Sequence, residues 1–128
     1  MPRFRSETFS TGDMSWLASG HGLRNARTVT IDISAFTAGT HYPDGFIRSG
    51  QPVAIVGGMA VPYDATEGTV TGAGILAGHI LTDQPVIGTG DFPAPLLDHG
   101  RVVAARVPGT FSKPAAAAKN AAHTIVYV

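Results

Sequence analysis

The stretch SGQPVAIVGGMAVPYD, residues 49–64, decides the fold. Two short apolar runs in it flank Gly57 and Gly58. A Gly-Gly pair readily takes the positive φ angles that a two-residue hairpin turn requires. The stretch therefore predicts a β-hairpin over residues 52–63.

Further segments on both sides of this hairpin have the composition of strands. The sequence TVTIDI, residues 28–33, alternates so that Val29, Ile31 and Ile33 share one face. Three more segments are apolar or β-branched enough to form strands, namely residues 74–81, 101–107 and 124–128. Short strands separated by glycine and proline turns predict a mainly β fold, either a sandwich or a barrel.

Two local signals add a turn and a helix. In HYPDGF, residues 41–46, Pro43, Asp44 and Gly45 suit the last three positions of a type I turn. In KPAAAAKNAA, residues 113–122, Pro114 precedes a run of strong helix formers. This segment predicts one short α-helix near the C-terminus.

The first 26 residues have neither helical nor strand periodicity, yet they contain Phe4, Phe9, Trp16 and Leu17. A patternless segment with large apolar side chains usually docks on another surface. We therefore predict an extended N-terminal arm, residues 1–26, and a single compact β-rich domain, residues 27–128. Trp16 and Leu17 have two alternatives, an anchor on a partner or a part of the domain's own core.

Composition excludes several classes of protein. The chain has 128 residues, which fits one domain, and no cysteine, which excludes disulfides, thiolate metal sites and thiol nucleophiles. Nine basic and nine acidic residues balance, so no overall field attracts nucleic acid or a membrane. The sequence has neither a membrane-spanning run nor the apolar core of a signal peptide. We expect a soluble protein that is not secreted.

The spacing G-x-G-x-x-A at Gly72, Gly74 and Ala77 raises the possibility of a dinucleotide site. That fingerprint works where a glycine turn joins a buried strand to a helix whose N-terminus faces the pyrophosphate. Here Gly78 and the sequence TDQP leave room for two helical turns at most. We expect a glycine-rich strand and no cofactor.

Signals for catalysis or metal binding are weak. Asp98 with His99, or His79 with Asp83, could form an acid–base pair, but no serine lies in a G-x-S-x-G context. We predict no enzymatic activity. The nucleophile candidates are Ser49, Thr110 and Ser112, and the histidines, none at helical metal-ligand spacing, are His21, His41, His79, His99 and His123.

From about residue 49 onward the chain resembles the lambda-type head decoration proteins of tailed bacteriophages. The resemblance covers about 80 residues. Its middle block includes a G-[IV]-L strand, matched here by Gly74, Ile75 and Leu76. The matching features, in order, are SGQPVAIVGGMAVPYD, GTVTGAGILAGHIL, RVPGTF, the alanine-rich helix and the terminal TIVYV.

The resemblance implies a structural protein of the virion that catalyses nothing. Such proteins sit as homotrimers on the outer surface of the expanded capsid, after synthesis in the host cytoplasm, and stabilise the lattice of the major capsid protein. Their N-terminal arm becomes ordered on the capsid and lengthens a sheet by strand addition. Neither nucleic acid nor a membrane is an expected partner. The implied capsid-binding residues of the arm are Arg3, Phe4, Arg5, Phe9, Trp16 and Leu17.

The loop at residues 87–97 is a candidate for the trimer contact because Phe92, Leu96 and Leu97 lie between prolines. The alternative is that these three side chains pack in the core.

Two other functions stay open. The chain could be a small ligand- or carbohydrate-binding β module of a virion, which would need exposed aromatic side chains in a groove. It could also be a small hydrolase that uses His79 or His99 with an aspartate. The aromatic candidates for the binding module are Trp16, Tyr42, Tyr63 and Tyr127.

Overall fold

Short strands make up most of the regular structure in the computed structural model, which describes residues 14–18, 26–67, 71–109 and 111–128. The prediction of a mainly β fold is confirmed. Within these ranges the helices are one α-helical turn, α1 (Ala38–His41), and 3₁₀ turns at Ile33–Ala35, Ala104–Arg106 and Ala117–Asn120. The strands are β1 (Arg27–Ile31), β2 (Phe46–Ile47), β3 (Pro52–Val56), β4 (Met59–Pro62), β5 (Gly78–Ile80), β6 (Gln84–Pro85), β7 (Phe92–Leu97), β8 (His99–Val102) and β9 (Thr124–Tyr127).

The hairpin predicted from the glycine pair is confirmed. Strands β3 and β4 pair antiparallel down to Val56 opposite Met59, so Gly57 and Gly58 form the two-residue loop. Their φ angles are 60° and 80°. Two positive φ angles are what a type I′ turn requires, and its twist matches that of the flanking strands.

Five strands close into a barrel in the order β1-β4-β3-β5-β7. The alternation predicted for β1 is confirmed, since Val29 and Ile31 are buried whereas Thr28 and Thr30 are exposed. Ile33 is also buried, but it belongs to a 3₁₀ turn. Closure leaves this sheet without an edge strand, and the barrel closes where β1 and β4 meet at one residue pair, Ile31 opposite Ala60. The barrel core consists of Val29, Ile31, Ile33, Phe36, Ile47, Val53, Ala60, Ile80, Ala94 and Leu96.

A second, smaller core lies on the other side of β7. Consecutive residues of a strand point to opposite faces, so Leu96 enters the barrel while Leu97 packs with Trp16. Strands β8 and β9 pair in parallel over this core. Leu17 forms an antiparallel bridge to Val102 of β8.

Two predicted strands are shorter than expected. Of residues 74–81 only Gly78–Ile80 is strand, because the preceding residues form a turn in which the Ile75 N–H donates to the Gly72 carbonyl. Of residues 101–107 only the first two belong to β8, which ends where the 3₁₀ turn Ala104–Arg106 begins.

The predicted C-terminal α-helix is wrong. Its segment contains a single 3₁₀ turn, Ala117–Asn120. The Lys119 carbonyl accepts the N–H of Leu76 from a distant segment, and the Asn120 amide donates to the Pro114 carbonyl. These bonds favour a compact turn over a continued helix.

Replacement of Gly78 by alanine is expected to lower the free energy of unfolding by about 3 kcal/mol. An added Cβ would overlap the carbonyl oxygen of Leu97, which is rigid backbone of β7. Gly39→Ala is the matched control, because a Cβ there meets nothing within 4 Å. It should change the value by less than about 1 kcal/mol. Equal stability of the two variants in urea unfolding would contradict the close approach of β5 and β7.

Candidate functional site

A buried group of polar and aromatic side chains joins the barrel to the smaller sheet. We call it the His79 cluster, and it consists of Trp16, Ser49, His79, Phe111 and Tyr127. The Trp16 side chain is 1% exposed, and its indole N–H donates to the Ser49 hydroxyl at 3.0 Å. That hydroxyl donates in turn to a main-chain carbonyl just after β5, at 2.7 Å. Both polar groups are therefore satisfied without water.

The hydrogen bonds of His79 fix its tautomer. Its Nδ1 lies 2.9 Å from the Gly50 carbonyl oxygen, which can only accept, so Nδ1 carries the proton. Nε2 then accepts a hydrogen bond from the Tyr127 hydroxyl, and the two atoms are 2.6 Å apart. The Trp16 and Phe111 rings lie 5.6 Å and 5.3 Å from the imidazole. Burial lowers the pKa of His79 to about 4, so the ring is neutral at pH 7.

Gly50 makes this close packing possible. Its φ angle is +94°, and a Cβ there would lie 2.8 Å from both the Trp16 ring and the Pro108 ring. A larger residue would separate the indole from Ser49.

Within the part of the chain that the structure describes, strand β9 has an unpaired edge beside this cluster. The N–H groups of Thr124 and Val128 both donate to carbonyls on the β8 side. Since main-chain groups alternate in direction along a strand, the Ile125 carbonyl and both main-chain groups of Tyr127 face away from β8. Among the described strands, only β8 pairs with β9. The Val126 and Val128 side chains are 56% and 63% exposed.

The residues predicted to anchor the arm separate into two groups. Trp16 lies in the chain's own core and Leu17 packs against it, as the alternative expected. The anchor role predicted for Trp16 is thereby corrected, because its indole is covered on all sides and is not presented to a partner. The other predicted anchors, Arg3, Phe4, Arg5 and Phe9, lie outside the described residues.

The candidates for the trimer contact also require correction. Residues 92–97 form β7, which pairs with β1 from Arg27 opposite Leu96 to Ile31 opposite Phe92. Leu96 and Leu97 are both fully buried in the chain's own cores and cannot contact another subunit. Phe92 is half-buried and packs against the barrel core.

The acid–base pairs considered from the sequence have other partners. The Asp83 carboxylate accepts the main-chain N–H of Ser49 at 2.7 Å, while both nitrogens of His79 are engaged within its cluster. His99 bonds the Thr124 hydroxyl at 2.7 Å.

Asp98, the carboxylate considered together with His99, forms an ion pair with Arg27 at 3.2 Å. Ser112 is exposed, and Thr110 lies outside the described residues. The turn that contains Gly72 and Gly74 leads into β5 and not into a helix, so it lacks the geometry of a dinucleotide site.

Comparison with known proteins gives no relative: no family model, curated protein or solved structure matches the chain. Within the described ranges, no helix has the length and hydropathy of a membrane-spanning segment. The same ranges contain no group of three His, Asp or Glu side chains that could hold a metal ion.

Trp16→Ala is expected to lower the free energy of unfolding by about 4 kcal/mol, because it leaves a large cavity in the second core. Trp16→Phe keeps most of the packing and loses the hydrogen bond, so it should cost about 1 kcal/mol. Urea unfolding measures both. A Trp16→Ala protein within about 0.5 kcal/mol of wild type would mean that residues 14–18 do not belong to the folded core.

Acid should destabilise the protein through His79. The unfolded chain binds a proton at this residue below about pH 6.5, whereas the folded chain does so only near pH 4. Stability is therefore lost as the pH falls through this window, by about 3 kcal/mol for this group. His41 and His123, whose pKa values burial also lowers, add to the slope in the same direction.

The contribution of His79 is isolated by comparing the wild type with His79→Gln. The variant should be less stable at pH 7, and its stability should fall less steeply between pH 7 and pH 4. Parallel curves for the two proteins would show that His79 does not titrate with folding.

Proposed function

We propose that this chain is a structural virion protein that binds the outer surface of an expanded bacteriophage capsid as a homotrimer and stabilises the lattice of the major capsid protein. The resemblance to lambda-type decoration proteins supports this function, as does the mainly β fold. The observation that carries it is the open edge of β9. This edge offers a place where a strand of the capsid protein can add to the small sheet.

Both the main-chain groups and the side chains of the β9 edge suit the addition of another strand. Three outward main-chain groups, on Ile125 and Tyr127, supply the hydrogen bonds, and the exposed Val126 and Val128 supply an apolar flank. Extended segments bind sheet edges in this way, with affinity from the main chain and specificity from alternate side chains.

A single short edge binds weakly. Each hydrogen bond contributes about 1 kcal/mol net, so three of them give little affinity against the entropy of association. A trimer presents three edges at once, and the second and third contacts then form at a high effective concentration. The segment before Trp16, with Arg3, Phe4, Arg5 and Phe9, would add a further contact for each subunit.

The edge is tested with the double variant Val126→Lys/Val128→Lys. Both side chains point to solvent, so the fold should persist, while two lysines on the edge oppose the approach of another strand. We expect binding to expanded, undecorated capsids of the encoding phage to weaken by about tenfold or more. Ala65→Lys is the matched control, because Ala65 is exposed in the turn that follows β4, outside both β9 and the loop at residues 87–97.

Bound copies are counted per capsid, together with a form that lacks residues 1–13 and keeps Trp16. Wild type and Ala65→Lys should saturate at three copies per threefold site, and both the edge variant and the truncated form should bind less. Failure of the wild type to bind would reject decoration. Full binding by the edge variant would reject β9 as the contact.

A further inference from the structure

A groove runs across the surface next to the β3–β4 hairpin. It consists of three adjoining cavities of about 390, 270 and 340 Å³. The first and second share Arg48 and Pro108 in their walls, and the second and third share His41 and Tyr63. The shared residues place the three cavities in a row, with the second between the first and the third, an arrangement that suits a linear ligand better than a compact one.

The walls combine hydrogen-bonding side chains with flat apolar surfaces. Arg48 pairs with Asp44 at 2.8 Å, and both side chains stay more than half exposed, so each keeps polar atoms that a ligand can reach. His41 accepts the Thr37 N–H on Nδ1, and burial lowers the pKa of His41, so the neutral ring keeps its Nε2–H as a donor. Apolar surface comes from the Tyr63 ring and from Pro43, Pro52, Pro62 and Pro108.

The charges of the groove disfavour a polyanion. Two arginines face three aspartates in its walls, and these are Arg48, Arg106, Asp44, Asp64 and Asp83. A nucleic acid or an acidic polysaccharide would meet a net negative wall. Mixed charges suit a neutral ligand with many hydroxyl groups, since carboxylates accept and guanidinium groups donate.

The main chain around the groove disfavours an extended peptide. Peptides that bind as strands need a free sheet edge of some length. Strands β3 and β4 have neighbours within the barrel, and β2, whose Phe46 lines the first cavity, is only two residues long. Recognition by side chains is therefore favoured. This arrangement matches a sugar chain, whose hydroxyls bond polar side chains and whose C–H faces stack on aromatic rings.

We propose that this groove binds a neutral linear oligosaccharide, with Tyr63 as the stacking platform and Arg48, Asp44 and His41 as hydrogen-bonding groups. Of the aromatic residues considered from the sequence, Tyr63 is the one that lines it. Trp16 and Tyr127 belong to the His79 cluster, and Tyr42 packs against the barrel core. The binding is a property of the free protein and is independent of capsid decoration.

The test uses the full, isotope-labelled chain without capsids. Maltohexaose, cellohexaose and chitohexaose are titrated to millimolar concentration while backbone amide shifts are recorded by NMR. We expect at least one of them to shift amides of Thr40, Arg48, Gln51 and Tyr63 in a saturable way. Tyr63→Ala should weaken that binding about tenfold through loss of stacking.

Arg48→Ala, which changes an exposed side chain, keeps the test valid if Tyr63→Ala is unstable, and it should also weaken binding. Arg101→Ala, exposed on β8 outside the groove, is the control and should bind like wild type. No saturable shift with any of the three chains, or shifts confined to other surfaces, would overturn the proposal. Groove shifts with a neutral proline-rich peptide but with no sugar would overturn it in favour of a peptide site.

Discussion

The hydrogen bonds that cross between the barrel and the small sheet are the constraint on which the rest of the structure depends. One path leads from the Trp16 indole to the Ser49 hydroxyl, and another leads from the Gly50 carbonyl through His79 to the Tyr127 hydroxyl. All of these polar groups lie in a region enclosed by aromatic rings. A buried polar group that loses its hydrogen-bond partner lowers the free energy of unfolding by about 1 to 3 kcal/mol, so breaking either path would destabilise the fold. These hydrogen bonds therefore hold the small sheet in one position against the barrel.

This constraint bears on the proposed surfaces. Tyr127 is part of β9, and its bond to His79 holds that strand against the second core while the opposite main-chain edge faces outward. Ser49 belongs to the cluster and also lines the groove, and Gly50 packs against both Trp16 of the cluster and Pro108 of the groove wall. Edge and groove thus both rest on rigid, buried contacts. Preorganised surfaces of this kind lose less entropy on binding.

Local features of the fold could be predicted from the sequence because their causes are local. The Gly57-Gly58 turn and the alternation in β1 depend on nearest neighbours, and both were predictable. The 3₁₀ turn at Ala117–Asn120 could not be predicted in this way. The Lys119 carbonyl in this turn accepts a hydrogen bond from the Leu76 N–H, which belongs to a distant segment of the sequence. Local preference for helix gave way to that tertiary contact.

The His79 cluster could not be predicted for a similar reason. Its members come from separate segments, and Ser49 or Tyr127 alone has no pattern that indicates a buried partner. The sequence allowed two placements for Trp16, and burial decided between them. The prolines near Leu96 and Leu97 indicated a loop with exposed apolar side chains. These residues instead form β7, which pairs with β1, and a pairing between segments so far apart in the sequence cannot be predicted from local composition.

Hydrogen exchange of the Trp16 indole N–H tests the central claim most directly. If the His79 cluster joins barrel and small sheet into one cooperative unit, this proton should exchange only through global unfolding. Its free energy of opening should then equal that of buried barrel amides such as Ile80, whose N–H donates to the Gln51 carbonyl. Exchange of the indole at a much lower free energy, with the barrel amides still protected, would show that residues 14–18 open independently and would contradict the account.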